Sequence, residues 1–100
     1  MIKHIVIWRL KEHAHGNDRA TNARLIKEKL ESLRGQIPGL LAIEVGIDCS
    51  ATADSGDVVL YSEFADLHAL EAYHTHPAHL SVAPFVGEAR ASRQLVDYMV

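Results

Sequence analysis

The chain has 100 residues, 48% apolar and 23% charged, a balance that is typical of a folded globular protein and predicts a single domain over residues 1–100. Its ten lysines and arginines are scattered and its formal net charge is -3, which argues against nucleic acid as a partner. No apolar run approaches the roughly 20 residues that a membrane-spanning helix requires, so no membrane role is expected.

The first predicted element is a strand over Ile2 to Leu10, which is rich in β-branched and aromatic residues on both faces. Because Met1 leads directly into this strand, neither a signal peptide nor a membrane anchor is expected. Residues 13–17 are polar and predict a turn. Asp18 then predicts the N-cap of a helix.

In this helix, apolar residues recur at spacings of three and four, with charged residues between them. They predict one buried stripe along about four helical turns. The members of the stripe are Ala23, Ile26, Leu30, Leu33 and Ile37. Gly35, Pro38 and Gly39 predict the end of the helix, because glycine favours C-terminal caps and proline cannot continue a helix.

Two strands are predicted next, joined by a long hairpin loop. The first, Leu40 to Ile47, alternates so that one face carries Leu41, Ile43, Val45 and Ile47. The second, Asp57 to Phe64, is predicted to pair antiparallel with it. The loop over residues 49–56 contains Cys49, the only cysteine, which excludes an internal disulfide and favours a cytoplasmic protein.

The last third of the chain predicts two short helices and a final strand. Asp66 is the predicted N-cap of the first helix, whose apolar residues are Leu67, Leu70 and Tyr73. His76 and Pro77 break this helix, and Pro77 suits the first turn of the second. Ala91 to Val100 alternates again and predicts the fourth strand of the chain.

The predicted order is therefore β-α-β-β-α-β with the second helix split in two, which is the pattern of a ferredoxin-like α+β fold. Right-handed crossovers place both helical segments on one face of a four-stranded antiparallel sheet. The strands carry apolar residues on both sides, so one of two sets lies on the other face: Ile5, Ile7, Val59, Tyr61, Val96 and Tyr98, or Val6, Trp8, Ile43, Leu60 and Leu95. A monomer would expose this patch, so we expect a homodimer in which two sheets pack face to face.

Several segments of the sequence together resemble the stress-responsive A/B barrel (Dabb) family. They are Met1–Ile7, Gln36–Gly39, Leu41–Gly46, Asp57–Phe64, Leu70–His79 and Asp97–Tyr98, so the resemblance spans essentially the whole chain. It implies a dimeric α+β barrel built from two ferredoxin-like sheets. It defines function less closely, because many members of the family have no known role while a plant branch cyclises linear polyketides by aldol condensation.

The resemblance also implies a pocket between the helices and the sheet. In the cyclase branch, the histidine that matches His79 acts as general base, and the tyrosine that matches Tyr73 directs its hydroxyl at the reacting end of the substrate. We expect Asp97 to accept a hydrogen bond from His79 and to raise its basicity. The predicted ligand-binding wall consists of His4, Val6, Trp8, Ile43, Leu60, His76 and Leu95.

Three functions remain open at this point. The protein is a homodimer that binds a small organic molecule, or a cofactor-independent enzyme that uses His79 and Tyr73 for proton transfer, or a non-catalytic structural stress protein. In the structural case, His76 only caps a helix boundary and His79 is a satisfied core residue. A pocket larger than roughly 300 Å³ would favour the first two functions, although Trp8 would narrow it for a substrate as long as a polyketide.

A metal site is the remaining alternative, because His74, His76 and His79 resemble a cluster of imidazole ligands. However, no cysteine or carboxylate at ligand spacing completes a zinc site, and His74 is expected to point to solvent beside Glu71. We therefore predict no metal and no cofactor.

Overall fold

The computed structural model describes residues 1–100, and its elements follow the predicted order with one addition. The strands are β1 (Ile2–Leu10), β2 (His13–Ala14), β3 (Asn17–Asp18), β4 (Leu40–Ile47), β5 (Val58–Phe64) and β6 (Arg90–Met99). The helices are α1 (Arg19–Glu31), α2 (Leu67–Thr75) and α3 (Pro77–Ala89). The addition is the small hairpin of β2 and β3, which contains the turn predicted over residues 13–17. None of the helices has the length and apolarity needed to cross a membrane.

Four of the strands form one antiparallel sheet in the order β4-β5-β1-β6. The hairpin partners β4 and β5 are neighbours, and the helices pack over β1, β4 and β5 on the same face. This arrangement is the ferredoxin-like α+β fold that the order of elements predicted. The central strand β1 therefore supplies alternate residues that are buried under the helices: Ile2, His4, Val6, Trp8 and Leu10.

The core lies between the helices and this face of the sheet, and it contains 20 buried apolar residues. Its polar members are paired. Asn22 donates from Nδ2 to the Ala14 carbonyl at 3.0 Å, and Ser62 donates from Oγ to the His4 carbonyl at 2.8 Å. No buried side-chain polar atom lacks a hydrogen-bond partner, which is the usual condition for burying such groups.

The predicted helix starts are correct and one predicted helix end is wrong. Asp18 accepts the Thr21 N–H at 2.8 Å, as an N-cap should. However, α1 ends at Glu31 with Ser32 as its C-cap, so it is shorter than the apolar stripe predicted. Leu33 and Ile37 nevertheless remain buried, because the turns that follow α1 fold against the core.

The alternation predicted for the second strand is interrupted. The register of β4 against β5 shifts between Leu40 and Ala42, so one extra residue is accommodated there. Leu41 is that residue, and it is 58% exposed rather than aligned with the buried Ile43. Ile47, at the far end of the strand, is exposed as well. The fully buried residues of β4 are therefore Ile43 and Val45 in its middle, and Leu40 packs against the core while partly exposed.

The second face of the sheet carries no helix. Ile5 lies there opposite Tyr61 on one side and Val96 on the other, and Ile7 lies opposite Val59. These residues belong to one of the two apolar sets predicted for the sheet, and the structure shows that this set lies on the uncovered face. Val96 is 61% exposed, and every residue of the edge strand β6 is exposed in the isolated chain. An apolar sheet face of this kind is seldom left open to water in a soluble protein.

Candidate functional site

A cleft of about 190 Å³ opens between the sheet and the helices α2 and α3. Six of the predicted site residues line it: His4, Val6, Trp8, Leu60, Tyr73 and His79. The lining residues that the sequence did not predict are Leu30, His74, Ala83, Val86, Gly87, Arg90 and Arg93. The fold thus brings together side chains from both ends of the chain. The cavity volume is below the roughly 300 Å³ above which a pocket would favour ligand binding or catalysis over a structural role.

His4, which lines the cleft, forms a hydrogen-bonded pair with Asp97, which lies outside the lining. They are register partners on β1 and β6, so both side chains project to the face that carries the helices. The His4 Nδ1–H donates to Asp97 Oδ1 at 2.5 Å, and His4 is only 2% exposed. The predicted hydrogen bond from His79 to Asp97 is therefore wrong: Asp97 accepts from His4, and the His79 Nδ1–H donates to the His74 carbonyl instead. In neutral His4 the pairing leaves Nε2 as a proton acceptor.

Tyr73 packs between the core and the cleft. Its ring centroid lies 5.0 Å from that of Phe64 and 4.3 Å from that of His79. The Tyr73 hydroxyl has no hydrogen-bond partner within the chain and is not fully buried, and the residue lines the cleft. Burial raises the pKa of Tyr73 to about 12. At neutral pH the side chain is therefore protonated and available as a hydrogen-bond donor.

His74 and His79 lie side by side at the cleft. The His79 Nδ1–H donates to the His74 carbonyl at 3.2 Å, which leaves Nε2 of neutral His79 as an acceptor. Burial lowers the pKa of both rings below 6.5, and the charge of Arg93 acts in the same direction. His74 is exposed, as expected from the sequence, but its ring also lines the cleft, with its centroid 5.7 Å from that of His4.

Three predicted wall residues lie outside the cleft. Ile43 is buried in β4, at the opposite edge of the sheet from β6. The ring of His76 accepts the Ala78 N–H at 3.0 Å and caps α3 instead of facing a ligand. Leu95 lies opposite Val6 but is 42% exposed, because no helix packs over the edge strand.

The three clustered histidines do not assemble the metal site that their spacing suggested as an alternative. His74 and His79 turn toward the cleft, whereas a ring nitrogen of His76 is directed back at the first turn of α3. No group of three or more His, Cys, Asp or Glu side chains in the chain converges in a way that could hold a metal ion. The spacing of these histidines across the junction of α2 and α3 therefore does not direct their rings at one common metal position.

The lowered histidine pKa values predict a specific dependence of stability on pH. We expect the ring resonances of His74 and His79 to titrate with midpoints below 6.5. Between those midpoints and 6.5 the unfolded chain binds more protons than the folded protein, so the free energy of unfolding falls as the pH falls through this window. Histidine-selective NMR and urea unfolding at a series of pH values measure both quantities.

The control for this titration is His68→Gln, which removes an exposed histidine outside the cleft. His79→Gln should flatten the pH dependence of the free energy of unfolding, whereas His68→Gln should leave it as it is. Midpoints at or above 6.5 for both cleft histidines would contradict the lowered pKa values.

The chain is similar to several solved structures over almost its full length. One is a dimeric protein of unknown function with a ferredoxin-like fold from Bacteroides fragilis, with 31% identity, a TM-score of 0.87, and coverage of 99% of this chain and 95% of that one. Another is a Dabb family protein with a ferredoxin-like fold from Mesorhizobium loti, with 24% identity, a TM-score of 0.72, and coverage of 99% and 95%. A third is a hydroxynitrile lyase from Passiflora edulis, with 18% identity, a TM-score of 0.81, and coverage of 99% and 92%.

The lyase is similar in fold alone, since its identity to this chain is low. No protein with a curated description matches the sequence. The family model of the Stress responsive A/B Barrel Domain, in contrast, matches residues 2–100, which is nearly the whole chain. Together with the 31% identity to the Bacteroides fragilis protein, this match establishes the family. The chain belongs to the stress responsive A/B barrel domain (Dabb) family.

Proposed function

We propose that the protein is a homodimer that binds a small organic molecule in the cleft between the sheet and the helices α2 and α3. The observation that carries this proposal is the convergence of His4, Tyr73 and His79 on one cavity whose remaining wall is largely apolar. A few polar groups directed into an apolar cavity are typical of small-molecule sites, because the apolar wall supplies affinity and the polar groups orient the ligand.

The size of the cavity restricts the ligand. About 190 Å³ is below the range of roughly 300 to 1,000 Å³ that is usual for drug-sized ligands. Trp8 forms part of the wall and is 5% exposed, so it cannot move aside without opening the core. These features favour a compact molecule over a long polyketide chain.

The dimer is proposed from the uncovered sheet face. Its apolar centre, around Ile5 and Ile7 on β1, would be buried if a second copy packed its sheet against it. Structural relatives from Bacteroides fragilis and Thermobifida fusca, at 31% and 21% identity, are described as dimeric ferredoxin-like proteins, which supports this assembly. The family resemblance supports the same arrangement, a dimeric α+β barrel.

The single free cysteine, Cys49, supports our expectation of a cytoplasmic protein.

A proton-transfer enzyme is the second candidate function, and the state of His79 favours it. Because its pKa is lowered, His79 is neutral near pH 7, and its free Nε2 can accept a proton from a carbon next to a carbonyl group. The Tyr73 hydroxyl can donate a hydrogen bond to the carbonyl oxygen as negative charge develops there. The His4 ring, hydrogen-bonded to Asp97, lines the same cavity. In this candidate function, His79, Tyr73 and Asp97 have catalytic roles.

Hydrogen exchange in a bound carbonyl compound tests this second candidate without knowledge of the natural substrate. In D2O, a base in the cleft removes the α-hydrogen of a small aldehyde or ketone and a deuteron from solvent replaces it. We expect His79→Gln to slow this exchange by about 100-fold or more, because a positioned general base contributes about that much. Proton NMR of the probe measures the exchange rate.

The matched control is His68→Gln, which should exchange at the rate of the unchanged protein. If neither the unchanged protein nor the control accelerates exchange although the probe binds, the binding function stands and the enzyme candidate fails. If no small molecule shifts the NMR signals of Tyr73 or His79, and native mass spectrometry of protein from its source finds no retained ligand, the non-catalytic structural role is favoured.

A further inference from the structure

Two arginines for which the proposed function gives no role line the open side of the cleft. Arg93 lies opposite Trp8 in the pairing of β1 with β6, and Arg90 lies opposite Leu10. Partners in an antiparallel pair share a face, and Trp8 and Leu10 are buried on the face that carries the helices. Arg90 and Arg93 therefore project from that same face, and both line the cavity that contains Tyr73.

Neither guanidinium is neutralised within the chain. Arg90 and Arg93 take part in neither of the two ion pairs in the structure. No acidic side chain lines the cavity, and the nearby carboxylate of Asp97 is already bonded to His4. The cleft is therefore lined by two guanidinium groups that form no ion pair, together with apolar side chains.

The charge of Arg93 already acts on the histidines of the site. Burial is the main reason why the pKa values of His74 and His79 are lowered, and Arg93 disfavours the protonated form of each in addition. Arg93 therefore lies within electrostatic range of the rings that the proposed function uses. A ligand anion beside Arg93 would be close enough for its other end to reach those rings.

We propose that Arg90 and Arg93 form an anion subsite and that the cleft binds a small organic carboxylate. This inference rests on the function proposed above and names the class of its ligand. A guanidinium stays charged at physiological pH and binds a carboxylate through paired N–H donors. The apolar body of the ligand lies against Val6, Leu60 and Val86, a surface that an inorganic anion would leave uncovered.

Matched acids and amides test the subsite. The probes are benzoate with benzamide and butanoate with butanamide, each pair differing in charge but hardly in size. We expect the acids to bind more tightly than the amides, and Arg93→Gln to weaken acid binding by about tenfold, because it removes a charge-assisted hydrogen-bond donor. The double variant with Arg90→Gln should weaken it further. Isothermal calorimetry and NMR shifts of Tyr73 and His79 report affinity and location.

The control is Arg24→Gln, which removes the same charge from an exposed position on α1 outside the cleft and should leave acid binding unchanged. If the amides bind at the cleft as tightly as the acids, or if the arginine variants bind the acids normally, the anion subsite is overturned while the binding function stands. Tighter binding of inorganic phosphate than of benzoate overturns the assignment of the ligand as an organic carboxylate. If no probe binds at the cleft, both proposals fail.

Discussion

Val96→Asp is expected to convert the protein from a dimer into a monomer with the 11.1 kDa mass of one chain. Val96 lies on the uncovered face of the sheet opposite Ile5 and is 61% exposed in the single chain. In the proposed dimer it is buried against the partner, and twofold symmetry places two copies of the substitution in one interface. A carboxylate there would be costly to bury in an apolar interface.

The expected magnitude follows from the apolar area that is lost. Each of the two symmetric positions loses about 2 kcal/mol of burial free energy. The sum raises the dimer dissociation constant by about a thousandfold. Sedimentation velocity at micromolar concentration measures the species present. Leu67→Asp is the control, because Leu67 is similarly exposed, at 54%, but begins α2 on the other side of the sheet. If the Val96→Asp protein sediments as the same dimer as the unchanged protein, the proposed interface is contradicted.

Phe64→Ala is expected to lower the free energy of unfolding by about 3 to 5 kcal/mol, because the side chain is fully buried and its loss leaves a cavity. Phe64 ends β5 beneath the site, with its ring centroid 6.1 Å from that of His4 and 5.0 Å from that of Tyr73. The total stability of such domains is only about 5 to 15 kcal/mol. The variant should therefore melt at a temperature lower by roughly 12 °C or more.

Urea unfolding and thermal melting at one fixed protein concentration measure this effect, since dimerisation makes stability depend on concentration. Leu80→Ala is the control, because Leu80 is 53% exposed on α3 and its truncation should change stability by less than about 0.5 kcal/mol. A loss below about 1 kcal/mol for Phe64→Ala would mean that the core collapses around the missing ring. The NMR signals of His4 and Tyr73 should also shift in the variant, as their packing partner is gone.

The residues of the site were partly predictable. The resemblance to the family identified His4, Tyr73 and His79, and all three line the cleft. Arg93 was not predicted as a site residue. Alternation along the last strand places Arg93 on the same face as Leu95 and Asp97, so the strand pattern does include it. Charged residues on an edge strand are usually solvated, so alternation alone does not distinguish a residue that lines a cleft from one on the open surface.

The partner of Asp97 was not predictable from spacing. His79 is near it in sequence and suits the chemistry, whereas His4 lies 93 positions away. The choice depends on the register between β1 and β6, which places His4 directly opposite Asp97. Register is a property of paired strands, and a shift of one residue would direct either side chain to the other face of the sheet.

The sequence by itself determined the order of elements, the helix starts at Asp18 and Asp66, and the apolar character of both sheet faces, because capping and periodicity are local properties of the chain. Only the tertiary structure decided the end of α1, the turned-out Leu41, the pairing of His4 with Asp97 and the small volume of the cleft. These depend on how distant segments fit against one another, and packing of that kind has no local signature in the sequence.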